Sequence, residues 1–81
     1  NKDYNNAMIY FKSAISKNQS NKVYHYNLGN THYALAQFTD SLNCYKNAIL
    51  LDDKYIDALN QLNKTLEYLK NISTIKSVYK E

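Results

Sequence analysis

Apolar residues recur along the chain at intervals of three and four, which is the spacing of one face of an α-helix. The clearest such face carries four leucines, Leu59, Leu62, Leu66 and Leu69. The strict alternation typical of strands is missing, and with one Gly and no Pro the chain lacks the usual residues of hairpin turns. The pattern therefore predicts no strand, and it predicts helices over residues 3–18, 22–35, 39–51 and from 56 onward.

Polar side chains, rather than Gly or Pro, mark the ends of these helices. Ser20 or Asn21 can accept hydrogen bonds from the first turn of the second helix, and Thr39 or a neighbour can do so for the third. Asp52 and Asp53 close the third helix. We therefore expect short loops at these points.

A shift of 34 residues superimposes the sequence on itself. It aligns residues 10–15 (YFKSAI) with residues 44–49 (CYKNAI), and it pairs Leu28 with Leu62. Such a fixed period indicates one helical unit that recurs and stacks on its neighbours. Nothing in the local sequence prevents the last segment from forming one continuous helix. The 34-residue register nevertheless favours a break near residues 71–73.

The segment 22–55 has a characteristic order of residues. Leu28 is followed directly by Gly29. The other key positions are filled, in order, by His25, His32, Ser41, Tyr45, Ala48 and Asp53. This order resembles the tetratricopeptide repeat, whose pattern is W-x2-L-G-x2-Y, A-x3-F, A and P over 34 residues. Residues 1–21 resemble the second helix of a preceding repeat, and residues 56–81 resemble a truncated further repeat.

The resemblance implies an all-α fold in which antiparallel helix pairs stack as a right-handed superhelix. Residues 1–81 would then form one domain, an α-solenoid fragment. Small residues let two helices approach closely, and large residues fill the space between them. The residues expected to pack in this way are Ala7, Phe11, Ala14, Leu28, Gly29, Ser41, Tyr45 and Ala48.

In this family the first helix of each pair lines a concave wall. The resemblance therefore implies a protein–protein interaction module that binds a peptide or a helix of a partner, as part of a larger scaffold or adaptor protein. Tyr and Asn suit such a surface, because a phenol ring buries apolar area and both side chains form hydrogen bonds. The implied groove residues are Tyr26, Asn27, Asn30, Tyr33, Asn60, Lys64 and Glu67. The alternative is that these are ordinary exposed positions.

Some members of the family bind acidic C-termini through a clamp of Lys, Asn and Arg side chains. Here Tyr26 stands where that clamp needs Lys, and Gln61 stands where it needs Asn. A bound carboxylate would lack its cation, so the clamp is not expected in this chain.

A second function is an architectural one, in which the segment joins repeats or copies in an assembly. The first predicted helix has no preceding partner helix in this sequence, so Ala7, Phe11 and Ala14 would present an uncovered face. Self-association through this first helix is therefore the alternative to a binding groove.

Charge and composition exclude other classes of function. Ten Lys oppose seven Asp and Glu, and the net charge of +3 is spread along the chain without a basic block, so we expect no nucleic-acid binding. No apolar stretch approaches the length of a membrane span. The single Cys favours a reducing compartment, so we expect an intracellular, cytoplasmic protein. Because the chain begins at Asn1 without a leader, we expect a piece of a longer polypeptide.

Candidate chemistry is sparse. His25 and His32 lie seven residues apart on one predicted helical face, and Cys44 lies on the next helix. Three ligands without a closely spaced pair make a poor metal site, and both histidines fall on packing positions of the repeat. A Cys–His nucleophile would need a cleft with oxyanion donors, and the sequence has no Gly-rich loop to supply them. We therefore expect core histidines, no metal, no cofactor and no enzymatic activity.

Overall fold

The computed structural model describes residues 2–79 of the chain. It contains four helices in sequence order, α1 (Lys2–Lys17), α2 (Lys22–Ala34), α3 (Phe38–Leu51) and α4 (Ile56–Tyr79). No strand occurs within this range. The prediction of an all-α fold built from packed helices is confirmed. The predicted domain limits at residues 1 and 81 lie outside the described residues.

Local hydrogen bonds define the start of α2. Of the two predicted caps, Asn21 is the one used, and its Oδ1 accepts from the backbone N–H of Val23 at 2.9 Å and of Tyr24 at 3.3 Å. These bonds satisfy donors that the first turn of a helix leaves free. The third helix begins at Phe38, directly before the predicted Thr39, and it has no side-chain capping bond.

The turn between α2 and α3 contains a left-handed residue that is not Gly. Ala36 has a φ of 60°, a conformation that costs an L-residue about 1–2 kcal/mol. The backbone N–H of Gln37 donates to the carbonyl of His32 at 2.8 Å, and that of Ala36 donates to the carbonyl of Tyr33 at 3.0 Å. This is the Schellman arrangement, which satisfies the last carbonyls of a helix. The side chains reinforce it, because His32 Nδ1 and Gln37 Oε1 are hydrogen-bonded at 2.7 Å.

The pair α2 and α3 encloses the core. Leu28 of α2 and Tyr45 and Ala48 of α3 are all buried. Gly29 lies so close to Tyr45 that a β-carbon on residue 29 would be 2.6 Å from the ring atom Cε1. Ser41 Oγ donates to the carbonyl of Gly29 at 2.9 Å. The close approach of the two helices therefore depends on the missing side chain of Gly29.

The helices form two layers. In one layer α2 lies beside α4, where Gln61 Nε2 is 3.4 Å from Asn30 Oδ1. In the other layer α1 lies beside α3, and Ile15 shares a surface depression with Leu50 and Leu51. Each helix also packs against the helix that precedes or follows it in sequence. The groove described below lies in the layer of α2 and α4.

The predicted break near residues 71–73 is wrong, because α4 runs through them without interruption. The 34-residue register places Leu66 and Asn71 where the preceding unit has His32 and Gln37. Leu cannot form the side-chain hydrogen bond that reinforces the turn between α2 and α3. The turn therefore has no counterpart in α4.

The close contact between α2 and α3 also has no counterpart in α4. Asn63 stands in register with Gly29, and Ile75 stands in register with Ser41. A side chain at residue 29 would collide with Tyr45, and Ile cannot donate a hydrogen bond as Ser41 does. If the second half of α4 folded back, it would lack the contacts that bind α3 to α2. The continuous helix keeps its own backbone hydrogen bonds instead.

An ion pair joins the start of α2 to the end of α3. The ammonium of Lys22 forms a salt bridge with the carboxylate of Asp52. The same ammonium lies 5.0 Å from the ring centroid of Tyr55, in the loop before α4. Together these contacts join the start of α2 to the end of α3 and to the loop before α4.

The longest helix, α4, has 24 residues and includes several charged side chains. None of the four described helices combines the length and the apolar composition that a bilayer crossing requires.

Candidate binding groove between α2 and α4

The groove lies where one face of α2 meets α4. Tyr26, Asn30 and Tyr33 follow one another at intervals of four and three residues, so they share a side of α2. Lys64 and Glu67 stand on the opposing part of α4, where both line one depression with Tyr33. The structure thus brings these five predicted groove residues to one seam between the helices.

Tyr26 is half-buried between two other tyrosines. Its ring centroid is 5.2 Å from that of Tyr55 and 6.0 Å from that of Tyr45. Tilted aromatic contacts at these distances are favourable beyond the area that they bury. Tyr26 therefore joins α2 to α3 and to the loop before α4, and its role in packing is at least as evident as any role in binding.

Asn30 is part of a hydrogen-bond network that links three helices. Tyr45 donates its hydroxyl proton to Asn30 Oδ1 at 2.6 Å. Gln61 Nε2 of α4 lies 3.4 Å from this oxygen and 3.4 Å from the Tyr45 hydroxyl oxygen. Burial raises the pKa of the Tyr45 phenol, so the hydroxyl keeps its proton at neutral pH. The network therefore occupies the carbonyl end of the Asn30 amide.

A shallow depression of about 260 Å³ opens beside Tyr33. Its lining consists of Tyr33, Lys64, Glu67, Tyr68 and Asn71. Lys64 Nζ lies 5.9 Å from the Tyr33 ring centroid, which is the outer range of a cation–π contact. The depression combines two aromatic rings with a cation, an anion and an amide, and such a mixture suits a short peptide segment.

Phe38 packs against the two tyrosine rings of this depression without lining it. Its ring centroid is 5.3 Å from that of Tyr33 and 4.7 Å from that of Tyr68. Because α3 begins at Phe38, this ring joins the end of α2 and the start of α3 to the middle of α4. The two outer rings are therefore held in position by a half-buried third ring.

Lys64 has an ammonium without a carboxylate partner within the described part of the chain, where the salt bridge found is that of Lys22 and Asp52. Glu67 is one turn away and exposed, but no ion pair joins the two side chains. Both groups are thus open to a ligand.

Two predicted groove residues lie apart from these contacts. Asn27 is half-buried on α2, and its backbone carbonyl accepts a hydrogen bond from Thr31 Oγ1 at 2.9 Å. Asn60 is exposed on α4, four residues before Lys64. Neither lines the depression beside Tyr33.

The predicted packing residues differ between α1 and the central pair. Ala7, Phe11 and Ala14 of α1 are half-buried. The predicted packing residues of α2 and α3 are buried, namely Leu28, Gly29, Ser41, Tyr45 and Ala48. The face of α1 is thus only partly covered by α2.

Two other depressions lie along α1. One of about 380 Å³ lies between α1 and α3 and includes Ile15, His25 and Leu50, and one of about 340 Å³ includes Tyr10 and Tyr24. Within the first, His25 is already engaged, because its Nε2 lies 2.9 Å from the carbonyl of Gln19. The depression beside Tyr33 is the smallest of these three, and of the three it alone combines two aromatic rings with side chains of both charges.

The two histidines and the cysteine lie in different environments. His32 is buried, whereas His25 is half-exposed, so the expectation of a core histidine fits His32 alone. Burial, with a smaller contribution from the nearby carboxylate of Asp40, raises the pKa of the Cys44 thiol to about 11. Within residues 2–79, no three His, Cys, Asp or Glu side chains come together as they would around a metal ion.

Sequence reasoning missed Tyr68, Phe38 and Asn71 as parts of this surface. The repeat register pairs Tyr68 with Ala34, so the family pattern gave no reason to choose it. A purely local signal was present, because Tyr68 lies four residues after Lys64 and so shares its face of α4.

One comparison with known proteins bears on this arrangement. Residues 23–55 match the family model described as the tetratricopeptide repeat. This range covers α2, α3 and the loop that carries Tyr55. The chain matches no curated protein.

Proposed function

We propose that this chain binds a peptide segment of a partner protein in the groove between α2 and α4. Residues 23–55 match the tetratricopeptide repeat, and such repeats are in general protein–protein interaction modules. The observation that carries the proposal is the depression beside Tyr33, where two tyrosine rings adjoin the unpaired ammonium of Lys64. The chain then acts as a binding segment of a scaffold or adaptor, without catalysis.

Selection from a phage library of random dodecapeptides tests this proposal. The groove variant combines Lys64→Glu with Tyr68→Ser, which reverses the cation and removes one ring at two exposed positions. The matched control combines Lys46→Glu with Leu50→Ser, two exposed positions on α3 outside the groove. Circular dichroism verifies that both variants remain helical.

We expect peptides that bind the wild-type chain and the control about equally and lose at least tenfold in affinity for the groove variant, the equivalent of about 1.4 kcal/mol. Peptides that bind all three proteins alike would contradict the proposal, and so would a selection that enriches no sequence.

A second candidate is self-association through α1. Tyr10 is 62% exposed, although its counterpart in the 34-residue register, Cys44, is 8% exposed. The neighbouring Ile9 is 68% exposed as well. Exposed apolar side chains in adjacent positions favour contact with another chain.

Sedimentation equilibrium separates this candidate from the first. Self-association predicts a concentration-dependent mass that returns to the monomer value in a Tyr10→Lys variant. A strictly monomeric wild-type chain over the accessible concentration range would exclude it, and the peptide selection would be unaffected.

A further inference from the structure

Two helix faces are partly open at opposite ends of the described fold. α1 packs against α2 and α4 packs against α3, so the two outer helices are the first and the last of the series. The α1 face consists of Ala7, Tyr10, Phe11 and Ala14. The α4 face consists of Leu59, Leu62, Leu66 and Leu69. Every member of the two faces is half-buried or exposed.

The 34-residue register relates both faces to the buried interface between α2 and α3. Leu62 and Leu66 stand in register with Leu28 and His32 of α2, which are buried. Leu66 is 47% exposed, whereas His32 is 6% exposed. The α1 face stands in register with four buried residues of α3, namely Ser41, Cys44, Tyr45 and Ala48. The two open faces therefore correspond to the two halves of one buried helix contact.

The α1 face matches this contact better than the second half of α4 does. Ala7 is small where α3 has Ser41, and Phe11 is large where α3 has Tyr45. The second half of α4 has the large Ile75 at the Ser41 position. Small residues let two helices approach, and large residues fill the space between them. Because α1 and α4 lie at opposite ends of the same fold, their open faces can meet only between two copies.

Such a contact would be wider than that between α2 and α3. Asn63 stands in register with Gly29, and Tyr10 stands in register with Cys44. A β-carbon on residue 29 would already be 3.2 Å from the β-carbon of Cys44, so the two larger residues require more space. The distance between packed helices varies with the side chains at the contact. The exposed ring of Tyr10 is large enough to fill the added space.

Charges at the helix ends are also complementary. The salt bridge of Lys22 and Asp52 lies where α2 begins and α3 ends. At the equivalent place α4 has Asp57 in its first turn, and α1 has Lys17 in its last turn. Both side chains are exposed, and each lies one residue from the register counterpart of a salt-bridge residue. Opposite charges of two copies would thus meet at this end of the contact.

We propose that the α1 face of one copy packs against the α4 face of a second copy, so that copies of this chain associate head to tail. This inference rests on the self-association proposed above and names the surface that α1 contacts. A head-to-tail contact leaves one open face at each end of the assembly, so association does not stop at a dimer. A symmetric contact between two α1 helices would stop there.

Sedimentation velocity of two single variants and of their mixture tests this arrangement. Tyr10→Lys blocks the α1 face and Leu66→Lys blocks the α4 face, because each places a charge in an apolar contact at a position that is exposed in one copy. Leu50→Lys, at an exposed position of α3 outside both faces, is the matched control. Circular dichroism verifies that all variants remain helical.

We expect the wild-type chain and Leu50→Lys to form assemblies that grow beyond the dimer as the concentration rises. Tyr10→Lys and Leu66→Lys should each lose about tenfold or more in association. Their equimolar mixture should form a dimer and nothing larger, because the intact α4 face of the first variant pairs with the intact α1 face of the second. This recovery would also show that neither variant lost association through unfolding.

Exchange of the end charges tests the register of the contact. Asp57→Lys and Lys17→Asp should each weaken the association about two- to fivefold. The double variant should regain the lost affinity, because its opposite charges meet again between copies. A double variant that associates more weakly than both single variants would contradict this register.

Three results would overturn the inference. They are a Leu66→Lys variant that still associates, a Tyr10→Lys variant that still associates, and two helical variants whose mixture stays monomeric. The first result would leave self-association through α1 in place, between two α1 helices. A wild-type chain that is monomeric throughout would overturn this inference and the self-association together. None of these results would affect the selection of groove-dependent peptides, so peptide binding is tested separately.

Discussion

Gly29 lies against the aromatic ring of Tyr45 with no room for a β-carbon. A carbon placed there would be 2.6 Å from Cε1 and 2.8 Å from Cδ1 of the ring. Both ring atoms belong to a side chain that is fully buried and hydrogen-bonded at its far end to Asn30. The ring therefore cannot move aside, and the contact fixes how closely α2 and α3 approach.

Gly29→Ala should destabilise the chain for this reason. We expect the free energy of unfolding to fall by about 1–3 kcal/mol, the usual cost of overpacking. The sign is diagnostic, because the same change in an uncrowded helix raises stability by about 1 kcal/mol. Urea unfolding followed by circular dichroism measures it, and a more stable variant would contradict the close contact.

Ala36→Gly should have the opposite effect. Ala36 adopts a φ of 60° in the turn between α2 and α3, and Gly reaches that region without steric cost. After allowance for the greater chain entropy of Gly, we expect a gain of about 0.5–1 kcal/mol. Ala34→Gly at the exposed end of α2 is the matched control and should lose stability. Equal losses in both variants would refute the assignment of strain to residue 36.

Asp52 should make stability depend on pH. The hydrogen bond from Lys22, together with the backbone N–H of Lys54, holds the pKa of this carboxyl below its usual 3.8. A carboxyl with a lowered pKa stabilises the folded chain above its unfolded pKa, and this contribution disappears as the pH falls through the folded pKa.

Asp52→Asn should therefore be less stable than the wild-type chain at neutral pH, and the difference should vanish as the pH falls through the lowered pKa of Asp52. Urea midpoints at about pH 7 and about pH 2.5 measure this change. Asp53→Asn removes the same charge from an exposed neighbour and serves as the control. A stability difference that persists in acid would point to a cause other than the ion pair.

Cys44 should resist alkylation in the folded chain. Its thiol is buried and its pKa is raised from 9.0 to about 11, so the reactive thiolate is about a hundredfold scarcer than in an unfolded chain. Mass spectrometry after treatment with iodoacetamide should show little modification under native conditions and complete modification in urea. Rapid modification of the native chain would contradict the burial of α3 against its neighbours.

The sequence predicted best those features whose physical cause is visible in the residue pattern, namely the positions of the helices. The spacing of apolar residues determines which side of a helix can be buried, and the 34-residue period indicates that such helices recur. The positions of the first three helices and the start of α4 follow from these two observations, whereas the continuation of α4 through residues 71–73 does not. The match to the family model over residues 23–55 supports the same segment that the residue pattern singled out.

The partners of individual side chains could not be predicted in this way. Tyr26 and Asn30 lie on the predicted side of α2, but a pattern gives no distances, and only the structure shows that Tyr45, Tyr55 and Gln61 already contact them. The choice of binding variants changes accordingly. Lys64 and Tyr68 are exposed, whereas Tyr26 is half-buried between two tyrosines, so we expect replacements at Lys64 and Tyr68 to disturb the fold less.

The interruption expected in α4 shows a different limit. A repeat register transfers helix boundaries from one unit to the next, but a turn forms only where its own residues support it. His32, Gln37, Ser41 and Gly29 supply that support between α2 and α3. The residues of α4 at the corresponding positions do not supply it. The sequence shows these replacements, but only the structure shows which contacts they remove.

The order in which the helices pack has a kinetic consequence. Each helix contacts the one before or after it along the chain, so native contacts form between segments that diffuse together over short loops. Chains of this topology collapse and fold quickly, and the search for distant strands that slows β-proteins does not arise. We expect the α2–α3 hairpin, which contains the fully buried Tyr45, to form first. The outer helices would then add to it, and on heating they would melt away before it.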